Sequence, residues 1–248
     1  MLNKTQIVFK KENDFSFRTG SIFHGALMQI VDTEFADKMH RDNIRPYSQN
    51  VTFTDDRIIW NINTLTEEAK INISDLLMSD SFQSLYLSHK DISLDVCDKK
   101  IISQTSYDNM FKRIYIDSQF DNYGTYRFYT PTAFKSNGRY INMPDVRLIF
   151  NSIISKYNAC AISTEFSDDN LIEEIENCVN ITSFNLHSSY YSLEGVKIPS
   201  FVGEITLTSY KNERMKKFIS MMLEFATYSG IGIKTALGMG AVRKINKE

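Results

Sequence analysis

Cysteine is scarce in this chain. Cys97, Cys160 and Cys178 are an odd number with no C-x-x-C pair, so neither a disulfide framework nor a zinc knuckle is expected. No apolar run approaches the roughly twenty residues that cross a bilayer. The N-terminal stretch MLNKTQIVFKKEND alternates polar and apolar residues and lacks the charged head, apolar block and cleavage site of a secretory signal. A cytoplasmic protein without membrane partners is therefore the expectation. Low-complexity tracts are absent too. With 42% hydrophobic and 23% charged residues, the 248-residue chain has a globular composition and the length for one large domain or two small ones.

A strong positive charge is also missing, since the net charge is −2. Its distribution is uneven. Residues 211–248 hold eight Lys/Arg against three Asp/Glu, whereas residues 1–210 hold 20 against 27. A basic C-terminal segment on an acidic body can grip phosphates locally, or can be a solvated helix face.

Residues 4–10 place Thr5, Ile7 and Phe9 at period two, the pattern of a half-buried strand. From Gly20 the period becomes helical, with Ile22, Phe23, Ala26, Leu27, Ile30 and Val31 on one face; the helix restarts near Thr33 and ends near His40. Strands are expected at 50–54, 57–62 and 82–87, with a helix at about 65–79, giving a β-α-β-β-α-β unit. Residues 91–124 read as polar and irregular. A hairpin is expected over 125–142, turning at Asn137-Gly138, and Pro144 suits the first turn of a helix carrying Val146, Ile149, Phe150, Ile153, Ile154 and Tyr157. A helix at 168–178, strands at 180–192 and 196–209, a helix at 211–228 and a strand at 240–246 follow. The second half repeats the first half's order. The expected class is α+β: tandem ferredoxin-like (RRM-like) units over 1–123 and 124–248, with a glycine-rich loop near the C-terminus. Such sheets commonly present a face to RNA.

Four of the ten glycines, Gly230, Gly232, Gly238 and Gly240, fall within eleven residues that also contain Lys234 and Thr235. Clustered glycines permit close backbone approach, so that several N–H groups and a lysine can meet one phosphate. A Walker loop requires glycine before the lysine and a preceding strand, but Ile233 stands there and the segment follows a helix. A dinucleotide fingerprint requires glycine where Thr235 stands. Both nucleotide-binding readings, and with them a nucleotide-hydrolysing switch, are excluded.

The closing pattern G-x-G-x-K-T-x-x-G-x-G resembles the C-terminal loop of the CRISPR-associated Cas-six endoribonucleases. GSIFHGAL at 20–27, PTAFKSNGRYINMPDVR at 131–147 and VKIPSFVGEI at 196–205 resemble other segments of that family, so the resemblance spans both halves. It implies a metal-independent endoribonuclease without cofactor that binds CRISPR repeat RNA in a precursor guide transcript and cuts it by 2′-hydroxyl attack. The products would be a 2′,3′-cyclic phosphate and a 5′-hydroxyl. It also implies transient contact with a guide-RNA effector complex. The alternative is a non-catalytic RNA-binding subunit of such a complex.

RNA carries its own nucleophile, so the protein need supply only orientation, proton transfer and charge. A histidine suits the proton transfer and a cation the charge. Of His24, His40, His89 and His187, His40 occupies the position after the first helical region where the family commonly carries its catalytic histidine, and Arg41 and Arg45 are near enough in sequence to meet the same phosphate. His24 is a secondary candidate beside Gly25, and His89 and His187 read as surface residues. Some family members carry a tyrosine on the first helix where this chain has Met28, which leaves Tyr47 or an arginine as a substitute, or His40 acting nearly alone. RNA grip is expected from Gly230, Gly232, Lys234, Thr235, Gly238 and Gly240. Lys135 and Arg139 at the hairpin, Lys197 on the long strand and a stripe of Lys211, Arg214, Lys216 and Lys217 are further candidates. The acidic pairs Asp168-Asp169 and Glu173-Glu174 read as solvated surface, and no metal site is expected.

Overall fold

The computed structural model describes residues 1–11, 20–161, 166, 170–193 and 195–245. Its core is two antiparallel sheets. The first orders its strands β2-β3-β1-β5-β4, from β1 (Leu2–Lys10), β2 (Tyr47–Phe53), β3 (Arg57–Thr64), β4 (Ser84–Leu87) and β5 (Ile92–Thr105). The second is ordered β11-β6-β10-β9, from β6 (Tyr123–Thr132), β9 (Val179–Leu193), β10 (Val196–Ser209) and β11 (Val242–Ile245). β7 (Phe134–Ser136) and β8 (Arg139–Ile141) form a separate ribbon. With the expected helices between them, both sheets follow the ferredoxin-like order.

Several helices start where a side chain satisfies free N–H groups. α1 (Gly20–Ile30) leads into α2 (Thr33–Arg41), capped by Asp32, which accepts from Glu34 N and Phe35 N at 2.9 and 3.2 Å. The next helical stretch comprises α3 (Glu67–Ala69), a π-helical segment Lys70–Asp75 and α4 (Leu76–Met78). In the second half, Asp145 caps α6 (Val146–Cys160), so Pro144 lies just outside that helix and not in its first turn. Asn212 caps α8 (Glu213–Ser229). α7 covers Leu171–Glu176, and residues 167–169 and 246–248 lie outside the described residues. No helix among them is long and apolar enough to cross a membrane.

Two segments depart from the sequence reading. The stretch read as irregular contains β5, α5 (Tyr107–Phe111) and a π-helical turn, Lys112–Ile116. β5 hides its period because most of its residues are exposed and its register against β1 shifts twice, between Lys4/Thr5 and Val8/Phe9. Each bulge displaces the apolar alternation that marks a strand. β5, and not the expected strand at 82–87, is therefore the neighbour of β1, while β4 pairs outside it as an edge strand. The expected 125–142 hairpin is also divided. β6 pairs with β10 and β11, and only β7 and β8 form the ribbon, turning through Asn137 and Gly138, both at positive φ.

The two halves meet at α8, which packs against strands of both sheets. Ser48 Oγ and Asn63 Nδ2 both donate to the Tyr228 carbonyl, and Lys4 Nζ donates to Thr227 Oγ1. The glycine-rich loop that follows is held by Gln49 of β2. The Gln49 Nε2 group donates to Gly20 O at 2.8 Å and Ala236 O at 2.9 Å, while its Oε1 accepts from the Trp60 indole. Gln49 and Trp60 are buried, so each of these bonds replaces a bond to water that burial removes. Trp60→Phe keeps an aromatic ring but strands the Gln49 oxygen. The expected cost is about 1–3 kcal/mol, read as a lower urea midpoint with unchanged slope.

Candidate functional site

The loop is constructed by close backbone approach. Gly20, at the start of α1, lies against Gly238, and a Cβ there would stand 2.5 Å from the Leu237 carbonyl oxygen. Gly232, at φ +86°, presses on the bend after β6, where a Cβ would lie 2.4 Å from Ala133 O. Ala236 enters the apolar core of the first sheet, beside residues of α1 and α2. The loop is thus wedged between the two halves.

Most of its amides are consumed in holding this shape. Ile231 N donates to Gly240 O, Gly232 N to Ser152 Oγ, Ile233 N to Ala133 O and Gly240 N to Pro131 O. The expectation that the glycine amides themselves cradle a phosphate therefore narrows. Among the described residues, only the consecutive N–H groups of Lys234, Thr235 and Ala236 in this loop lack an internal acceptor. They sit where Lys234, at φ +57°, turns into a single 3₁₀ turn, Thr235–Leu237. The amides of Gly230, Gly238 and Gly240 donate to Ala226 O, Thr235 O and Pro131 O.

A cleft of about 750 Å³ opens over this turn. Its walls are residues 43–45 after α2, the β7–β8 ribbon, one face of α6 and loop residues 232–237. Arg45, Lys135, Lys156 and Lys234 line it, and no Asp or Glu does. A concave surface with four cations and no carboxylate favours a polyanion. Of the sequence candidates, Arg45, Lys135, Gly232, Lys234 and Thr235 thus converge on one cleft. Arg139 and Lys197 are exposed and not part of its lining. Lys217, from the proposed basic stripe, is tied to Glu213 and to Tyr115 O.

His40 is exposed in the last turn of α2 with Lys38 and Arg41, where cations complement the helix C-terminus. Arg45 folds back, its Nε donating to Met39 O at 3.0 Å, and has no carboxylate partner among the described residues. Behind them, His24 Nδ1 and the Tyr47 hydroxyl share a hydrogen bond of 2.5 Å. Burial, then the charges of Arg45 and His40, draw His24 down to about 4. Tyr47 is fully buried, and burial pushes its hydroxyl well above the usual phenol range. It braces His24 and presents no surface to a substrate. His89 and His187 are exposed and do not line the cleft.

Sequence reasoning missed Gln49, Ser152 and Lys156. The last two offered a signal: a serine and a lysine four residues apart that interrupt the apolar stripe of α6, where Lys156 is buried among Ile153, Ile154 and Tyr157.

A family model described as CRISPR-associated endoribonuclease Cas6 matches residues 126–242. The Streptococcus thermophilus CRISPR-associated endoribonuclease Cas6 is 29% identical over 221 residues, covering 89% of each chain. That of Mycobacterium tuberculosis (strain CDC 1551 / Oshkosh) is 31% identical over 225 residues, 90% of this chain and 71% of the relative. Among solved structures, a Cas6 (TTHB231) product complex superposes with a TM-score of 0.82 at 22% identity, over 99% of this chain and all of the other. A Cas6-related protein from Pyrococcus furiosus gives 0.67 at 10% identity, over the full length of both chains. The structural likeness establishes the shared fold. The sequence likeness across nine-tenths of the chain establishes kinship: this protein belongs to the CRISPR-associated endoribonuclease Cas6 family and is an RNA-cleaving enzyme.

Proposed function

We propose that the chain cleaves precursor guide transcripts within CRISPR repeats, without a metal ion, by attack of a ribose 2′-oxygen on the adjacent phosphorus. The P–O5′ bond breaks as the P–O2′ bond forms, leaving a 2′,3′-cyclic phosphate upstream and a 5′-hydroxyl downstream. The observation that carries this reading is the carboxylate-free cleft, with its four cations, beside the α2 terminus that bears His40. Mg²⁺ is generally held through carboxylates and substrate phosphates, and this lining has no carboxylate to offer. Its side chains suit a phosphodiester directly.

In this proposal His40 transfers the proton, while Arg41 and Arg45 offset charge on the phosphorane. The amides of Lys234, Thr235 and Ala236, with the Lys234 side chain, hold the phosphate. Lys135, Arg139 and Lys197 contact the flanking backbone. His24 is drawn too low to carry a proton near neutral pH; its neutral ring and the Tyr47 hydroxyl support the floor of the site. The division into units at 1–123 and 124–248, for which the separate strand sets of the two sheets argue, places the histidine on one and the loop on the other. A transcript substrate implies action in the cytoplasm.

Incubation with a repeat-containing RNA in EDTA should give undiminished cleavage, and a single 2′-deoxy substitution at the scissile nucleotide should abolish it. Dependence on a divalent ion, or scission at the deoxy position, would overturn the proposal. His40→Ala should slow single-turnover cleavage by about 10²-fold or more, with RNA affinity nearly unchanged. If His24→Ala alone does this, the histidine is misassigned.

His24 also makes a stability prediction. Its folded value lies below the 6.5 of an unperturbed histidine, so the unfolded chain takes up the proton more readily. Stability held by neutral His24 is complete above about pH 6.5 and is lost as pH falls towards about 4, to an extent of about 3 kcal/mol. Urea unfolding at pH 7 and pH 4 should show this loss in the native chain and a smaller one in His24→Gln. Equal losses would contradict the assignment.

A further inference from the structure

α6 buries a lysine beneath the cleft. Lys156 is 9% exposed, yet it lines the cleft, and its Nζ donates to Gly230 O and Gly232 O, both at 3.0 Å. One turn earlier, Ser152 Oγ accepts from Gly232 N at 2.7 Å and donates to Gly232 O at 3.3 Å. Two side chains of one helix face therefore grip the first half of the glycine-rich loop. Lys156 has no ion-pair partner among the described residues, and the cleft lining holds no carboxylate. Its two acceptors are neutral carbonyls. An ammonium has three donors, so one remains.

A clamp alone does not explain a charge at this position. Burying an ammonium without a counter-ion is costly, and burial draws Lys156 down to about 7 despite the opposing influence of Cys160. A hydroxyl or an amide could hold the same carbonyls at lower cost. The arrangement makes sense if the counter-charge arrives with the substrate, whose phosphates the neighbouring Lys234 and Arg45 also face across the cleft.

We propose that Lys156 is a phosphate-binding residue of the cleft as well as the clamp of the glycine-rich loop, its third donor and its charge meeting an RNA backbone phosphate. This rests on the cleft being the RNA site. Ser152, by contrast, is a positioning residue that acts only through Gly232.

The test measures binding, so that it does not depend on the identity of the catalytic histidine. The probe is one repeat of the accompanying CRISPR array carrying 2′-fluoro groups at every ribose, which removes the nucleophile. Affinity is measured across a salt series for the native chain, Lys156→Met, Lys156→Gln and Ser152→Ala, with thermal melting alongside. Lys156→Gln keeps donors for the two carbonyls and removes the charge, so it decides the matter should Lys156→Met fail to fold.

Both Lys156 variants should bind about tenfold or more weakly, with the slope of log K against log salt shallower by about 0.7–0.9, the value of one phosphate contact. Ser152→Ala should weaken binding without changing the slope. An unchanged slope in the folded Lys156 variants would reduce Lys156 to a structural clamp and overturn the inference while leaving the function intact. Failure of the native chain to bind the repeat would overturn the function and this inference together.

Discussion

The site depends on a single buried amide. Gln49 joins the start of α1 to the 3₁₀ turn of the glycine-rich loop through Gly20 O and Ala236 O, and it is itself fixed by the Trp60 indole. Every hydrogen-bonding position used by that side chain is internal to the protein. Because the loop is entered from α8 and left into β11, this contact holds a C-terminal segment against the N-terminal sheet. A buried polar junction of this kind tolerates little displacement, since a broken bond there has no water to replace it. The Gly20–Gly238 approach and the placement of Ala236 in the first core reinforce the same registration.

A division of labour follows from that registration. Glycines bring the backbone close, and bonds to Pro131 O, Ala133 O, Ser152, the end of α8 and carbonyls of the loop itself consume most of the loop amides. What remains for a ligand is short: three consecutive amides and the cations around them. On the other wall, the segment after α2 supplies Arg45, while His40 stands in the last turn of α2 outside the lining, and His24 and Tyr47 share a hydrogen bond. Neither half of the chain makes this cleft alone. The chemistry proposed for it needs little more than placement, because the ribose brings the nucleophile and the leaving oxygen needs only a proton.

Much of this was legible in the sequence where a local rule governed. The period-two run at Thr5, Ile7 and Phe9, the stripe of α6 and the Asn137-Gly138 turn each appear as strand, helix and ribbon turn. The glycine spacing marked the loop, and its mismatch with nucleotide-binding loops removed those readings. β5 was not legible, because two register shifts and an exposed surface erase the alternation. Gln49 and Lys156 were hidden for a different reason. A glutamine in a strand or a lysine in a helix looks like surface until its burial is known, and burial is set by distant packing. The exposed His40 and the buried Tyr47 illustrate the same limit, since sequence proximity could nominate both but not separate their surroundings.

The proposal that the substrate supplies its own nucleophile is tested most directly by the chemistry of the fragment ends. Mass spectrometry of both fragments, taken early in a single-turnover reaction, should find a 2′,3′-cyclic phosphate on the upstream piece and a 5′-hydroxyl on the downstream piece. A 3′-hydroxyl upstream with a 5′-phosphate downstream would mean that water had attacked from the other side of the phosphorus, and would contradict the mechanism.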